Sequence, residues 1–175
     1  MFRTVRVTRR PGPVIIDHTV SDEYSELLEP LGEDEAVLSI PSTTSSVDYV
    51  CQQYVVFSAT FQVPAFYFSI HNSSGEPLPL SEILQTSLLR PSTIYEGNAT
   101  AFSLSTPTST FPLISQGEHP TFGMPCWYFH PCETASAVWE IVSEVREDDW
   151  TDAQVFARWV EVWFMVLGSV VDLHD

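Results

Sequence analysis

Apolar and polar positions are ordered most regularly between residues 47 and 71. Residues 47–60 are rich in β-branched and aromatic side chains and contain neither Gly nor Pro, which predicts a strand. Residues 63–71 follow with period-two alternation. Phe66, Phe68 and Ile70 fall on one face, read as core, and Ala65, Tyr67 and Ser69 on the other, read as less buried. Phe61-Gln62 is the tight connection of a hairpin, and Asn72-Ser73-Ser74-Gly75 is the turn that closes its second strand. The period then lengthens. Leu80, Ile83, Leu84 and Leu88 predict a helix over 80–89 capped by Ser81. Residues 126–129 read as a short strand entering His130-Pro131-Cys132, and 135–145 as a helix with Thr134 as its cap. Residues 150–167 predict an amphipathic helix ended by Gly168, with Phe156, Trp159, Val160, Trp163, Phe164 and Leu167 on its buried side.

The flanking segments are less patterned. Residues 1–46 are expected to be loosely structured, with short strands at 14–16 and 36–40, a helical turn at 22–28 and a solvated acidic loop at 33–35. Residues 90–110, rich in Ser, Thr, Pro and Gly, are expected to form a flexible insertion within a domain spanning 47–175. There is no internal repeat. Strands followed by helices in a chain of 175 residues predict one α+β domain.

Composition narrows the function. Hydrophobic residues at 44% and aromatics at 13% supply a packed core, so disorder throughout is excluded. A net charge of −16 repels phosphate backbones and anionic headgroups, which argues against nucleic-acid partners. Arg3, Arg6, Arg9 and Arg10 concentrate the scarce cations at the start, as an anchor or a presequence fragment, but Pro11-Gly12-Pro13 follows where a signal peptide needs an apolar core. Residues 155–171 are strongly apolar, yet the stretch includes Arg158 and Glu161 and is too short for a comfortable span. It reads as a core helix, and no integral membrane segment is expected. Three cysteines (Cys51, Cys126 and Cys132) without a secretory signal predict reduced thiols and a cytoplasmic protein. The chain contains no lysine.

Candidate chemistry gathers around Cys132. A free thiol, with an ordinary pKa of about 8.5, is a poor nucleophile at neutral pH unless its surroundings favour the thiolate. Here the expected helix N-terminus places partial positive charge beside the sulfur. His130, two residues upstream, either orients the thiol and moves its proton or simply shapes the turn with Pro131. A cysteine protease is a weaker reading, because no protease signature surrounds Cys132. Zinc ligation by His119, Cys126, His130 and Cys132 lacks the paired Cys-x-x-Cys spacing of strong sites. Cys51, mid-strand among apolar residues, reads as a packing residue.

The run Ile114-Ser115-Gln116-Gly117-Glu118-His119-Pro120, then Gly123-x-Pro125, then His130-Pro131-Cys132-x-Thr134, closely resembles the family of autophagy-related ubiquitin-like-conjugating enzyme ten. Gln62 to Phe68, Gly75-x-Pro77-Leu78-x-Leu80 and the segment 159–171 agree, so the resemblance covers roughly residues 48 to 172. It implies a ubiquitin-conjugating-enzyme-like antiparallel sheet with flanking helices. It also implies that Cys132 accepts a ubiquitin-like autophagy modifier from an activating enzyme as a thioester and passes it to a lysine of a target autophagy protein. ATP is consumed at the activating enzyme, so no bound cofactor and no metal are implied. Tyr67 resembles a residue this family places near the active cysteine, and is equally a sheet-packing tyrosine. The sister family, which conjugates phosphatidylethanolamine, shares the His-Pro-Cys core, but its long acidic insertions are missing here and Thr134 favours the first family. A modifier-binding module without catalysis is the competing class. Two departures stand out: His119-Pro120-Thr121 replaces the His-Pro-Asn of ordinary ubiquitin-conjugating enzymes, and residues 1–46 do not resemble the family's opening helix.

Overall fold

The computed structural model describes residues 1–10, 47–94, 98–107 and 109–173. In chain order the strands are β1 (Phe2–Thr8), β2 (Asp48–Ser58), β3 (Val63–His71), β4 (Asn98–Ala99), β5 (Ser103–Ser105), β6 (Ile114–Glu118) and β7 (Pro125–Phe129). The helices are α1 (Leu80–Ile83), α2 (Pro91–Ile94), α3 (Pro131–Val145) and α4 (Asp152–Gly168). The strands form one sheet in the order β1-β2-β3-β7-β6-β5-β4, antiparallel throughout, with α3 and α4 packed together on one face. This is an α+β architecture of the ubiquitin-conjugating-enzyme kind.

The β2–β3 hairpin forms where the alternation places it, in register from Val50 opposite His71 to Ser58 opposite Val63. Its turn is held by Gln62, which adopts a φ of 56°. The Gln62 amide donates to Ser58 O at 2.8 Å and its side chain to Ala59 O at 2.6 Å, which offsets the cost of a left-handed non-glycine residue. At the other end Asn72 Oδ1 accepts the amides of Ser74 and Glu76, and Gly75 takes a φ of 83°. Phe66, Phe68 and Ile70 are buried beneath the helices. On the opposite face Tyr67 is half-buried, but Ala65 and Ser69 are buried as well, contrary to the alternation's simplest reading. β3 is a central strand, so taller cross-strand neighbours shield its short side chains.

The first residues are better ordered than their sequence suggests. β1 pairs with β2 along its whole length, from Phe2 opposite Tyr54 to Thr8 opposite Asp48. Two of the arginines expected as a basic arm, Arg3 and Arg9, are tied into the domain. Arg3 donates to Gln53 Oε1 at 2.7 Å and to Leu173 O at 3.2 Å, and Arg9 donates to Gln85 Oε1 at 2.7 Å. The strands expected at 14–16 and 36–40, the turn at 22–28 and the loop at 33–35 lie outside the described residues. Within 90–110, β4 and β5 extend the sheet, and Leu104 joins the core.

Three helical expectations need correction. The helix expected over 80–89 is a single turn, with Pro79 rather than Ser81 at its cap. Beyond it Ser87 N donates to Thr8 O and Arg90 N to Val170 O, so long-range partners replace the helical ones while Leu88 and Leu89 enter the core. Thr134 is not a cap. α3 starts at Pro131, whose fixed φ suits a first helical position, and His130 is the N-cap residue. In α4, Phe156 is 69% exposed while Val162 is buried with Trp159, Trp163 and Leu167. Phe156 lies in the second turn of α4, where only an open groove with Phe57, Pro64 and Trp139 adjoins it. α4 begins in a reciprocal cap between Thr151 and Gln154 and carries the exposed Arg158–Glu161 ion pair. Among the described residues no helix is long and apolar enough to cross a membrane.

Candidate functional site

β7 and α3 are joined without a loop, and that junction sets the site. Along β7, Trp127 and Phe129 point into the core, so Tyr128 and His130 emerge on the open face of the sheet. Pro131 then turns the chain into α3 and leaves Cys132 as its second residue, half-buried. His130 Nδ1 and Cys132 Sγ are 2.7 Å apart. Because His130 provides no side-chain cap and Pro131 has no N–H, the amides of Cys132 and Glu133 lie in the first turn of α3, where no helical carbonyl precedes them to accept. The Thr134 hydroxyl reaches back to His130 O at 3.5 Å, inside the first turn.

Aromatic rings surround His130. Phe111 stacks on the imidazole at a centroid distance of 5.3 Å and 15°, and Phe61 meets it edge-on at 5.6 Å and 69°. Tyr128 lies 6.2 Å from it. Tyr67 comes next in this row, 5.6 Å from Tyr128 and 5.5 Å from His119, so Tyr128 stands between Tyr67 and the histidine of the site. Burial, reinforced by the neighbouring Cys126 and Tyr128, pushes the Tyr67 hydroxyl above its ordinary value and keeps it protonated. Tyr128 itself is accommodated by Gly117, where an added Cβ would lie 2.9 Å from the tyrosine ring.

His119 belongs to a separate cluster. It is buried, touching Tyr54 at 4.6 Å and stacked on Phe122 at 4.6 Å. Its Nδ1 accepts the amides of Thr121 and Phe122 at 3.2 and 3.3 Å, so the ring proton resides on Nε2. Burial lowers its pKa, and the ring is neutral. This histidine organises the turn before β7. Among the described residues no three metal-ligating side chains are grouped as an ion would need.

The three thiols differ sharply. Burial pushes Cys51 up to about 12, only partly opposed by the Gln53 amide and Arg3, and pushes Cys126 up to about 11. Both stay protonated at neutral pH, and both are shut away from solvent. Cys132 is the accessible one. Sequence reasoning paired it with His130 and missed Phe61, Phe111, Gly117 and Tyr128. The available signals were an apolar residue inside a hairpin turn and another inside a Ser/Thr-rich stretch.

The family model of the autophagocytosis-associated protein active-site domain matches residues 8–175. Three curated relatives share the name ubiquitin-like-conjugating enzyme ATG10. That of Homo sapiens is 23% identical over 142 residues, covering 81% of this chain and 56% of the relative. That of Dictyostelium discoideum is 28% identical over 123 residues, with 68% and 49% covered. That of Arabidopsis thaliana is 29% identical over 141 residues, with 81% and 56% covered. The chain thus spans about half the length of the curated relatives it matches. No solved structure matches it significantly.

Proposed function

The chain belongs to the autophagocytosis-associated protein family, whose active-site domain it carries, and from that premise we propose that it is a ubiquitin-like-conjugating enzyme acting through Cys132. The observation that carries this reading is the single accessible thiol, in contact with His130 at 2.7 Å and set at the start of α3.

The chemistry is acyl transfer in two steps. The Cys132 sulfur attacks the thioester carbonyl that joins the modifier's C-terminus to the activating enzyme. A carbon–sulfur bond forms here, the one at the activating enzyme breaks, and that enzyme's thiolate departs. His130 takes the thiol proton. A lysine amine of the target autophagy protein then attacks the new thioester, an amide bond forms, and Cys132 leaves as the thiolate while the amine loses a proton. Each attack places negative charge on the carbonyl oxygen. The first-turn amides of Cys132 and Glu133, with the positive end of the α3 dipole, stabilise it. They take the oxyanion-donor role that the Asn of His-Pro-Asn fills in ordinary ubiquitin-conjugating enzymes and that Thr121 stands in place of here. Tyr67 supports the site at one remove, by packing Tyr128 beside His130. Acting on soluble protein partners, the enzyme works in the cytoplasm.

The test is a charging assay with the activating enzyme, ATP and the modifier. The native chain is expected to gain one adduct that reductant removes. Cys132→Ser is expected to give a reductant-resistant oxyester or no adduct. A reductant-sensitive adduct persisting in that variant would overturn the reading, and an uncharged native chain would leave a binding module in its place.

A further inference from the structure

Two phenylalanines sit where the core does not need them. Phe61 is 41% and Phe111 49% exposed, and among the described residues each makes its one ring contact with His130. The backbone around both is tied down. Phe61 N donates to Ser58 Oγ at 3.5 Å, next to the left-handed Gln62. Ser109 Oγ accepts the Phe111 amide at 3.1 Å and donates to the Phe111 carbonyl at 2.6 Å. Segments remote in sequence thus converge on one imidazole. A half-buried histidine at a helix N-cap has several staggered orientations open to it. Only some of them bring Nδ1 to the sulfur.

We infer that Phe61 and Phe111 are positioning residues that clamp His130 with Nδ1 turned to Cys132 Sγ. Phe111 covers one face of the ring and fixes its plane, and Phe61 closes on it edge-first, so rotation away from the thiol meets one ring or the other. The inference deepens, and rests on, the reading of Cys132 as the acceptor thiol. Neither phenylalanine touches the reacting atoms; both act through His130.

Alkylation by iodoacetamide tests it without modifier or activating enzyme, so its failure is distinct from failure of the charging assay. The reaction forms a carbon–sulfur bond at Cys132, releases iodide and gives up the thiol proton. In Phe61→Ala with Phe111→Ala, alkylation of Cys132 at neutral pH is expected to slow by roughly fivefold, as loss of orientation dictates. The His130 ring 15N resonances are expected to move to those of an imidazole without a thiol partner. His130→Ala should slow alkylation similarly, and Phe111→Tyr should retain both the native rate and the native resonances. Continued protection of Cys51 and Cys126 from the reagent reports an intact fold in every variant. Native alkylation and native His130 resonances in the double variant would overturn the inference, as would native alkylation in His130→Ala.

Discussion

Cys51 and Cys126 hold their protons in the fold far more tightly than an exposed thiol does, pushed up by burial to about 12 and about 11. Linkage fixes the sign. Between about 9 and 11 the unfolded chain releases these protons while the folded chain retains them, so the unfolded state binds fewer protons and stability falls as pH rises. The slope approaches about 1.4 kcal/mol per pH unit for each thiol. Tyr67, raised in the same direction, adds to the decline above its ordinary value of 10.0. Denaturant melts across that range are expected to show this loss in the native chain and a shallower one in Cys51→Ala. An unchanged slope in that variant would remove Cys51 from the explanation. Part of the site was legible beforehand: His130-Pro131-Cys132 is local in sequence, and a residue just before a helix lies close to the second residue inside it. The phenylalanine clamp was not legible, because it is assembled by chain closure between a hairpin turn and a loop.

At the scale of elements, what could be read depended on whether a strand's pattern was pure. β2 and β3 are rich in β-branched and aromatic residues, and the hairpin is where they place it. β1 carries the same alternation in Val5 and Val7, but its arginines masked it, since a charged edge strand looks like a tail. β6 was hidden by Gly117, a residue strands usually avoid, present here because Tyr128 needs the space. The helix expected over 80–89 failed because its backbone groups find partners in β1 and near the end of α4. β1 is nonetheless less secured than the central strands. Among the described residues it lies at the sheet edge, with β2 as its only strand neighbour, and Val7 is its one buried side chain. Its amides are therefore expected to exchange with solvent faster than those of β3, which is paired on both sides. Amide hydrogen exchange read residue by residue checks this; protection of β1 equal to that of β3 would mean the sheet opens only as a whole.

The whole molecule has no lysine, and the fold shows where one would matter. On the proposed function, a thioester on Cys132 would be exposed to any amine within reach, and proximity makes such attack efficient. Ser136 lies one helical turn beyond Cys132 on the exposed side of α3, its hydroxyl donating to Cys132 O at 3.4 Å. Glu118, close in sequence, pairs instead with Pro125 at the far end of β7. Ser136→Lys is expected to convert the charged enzyme into a reductant-resistant self-conjugate, and Glu118→Lys is not. Equal behaviour of the two in a non-reducing and reducing gel would separate the missing lysines from any protective role. The contact between Arg3 and Leu173 O has a mechanical meaning as well. It closes the described chain into a clasp across 170 positions of sequence. Tension applied between residues 3 and 173 loads that guanidinium first and the β1–β2 ladder next.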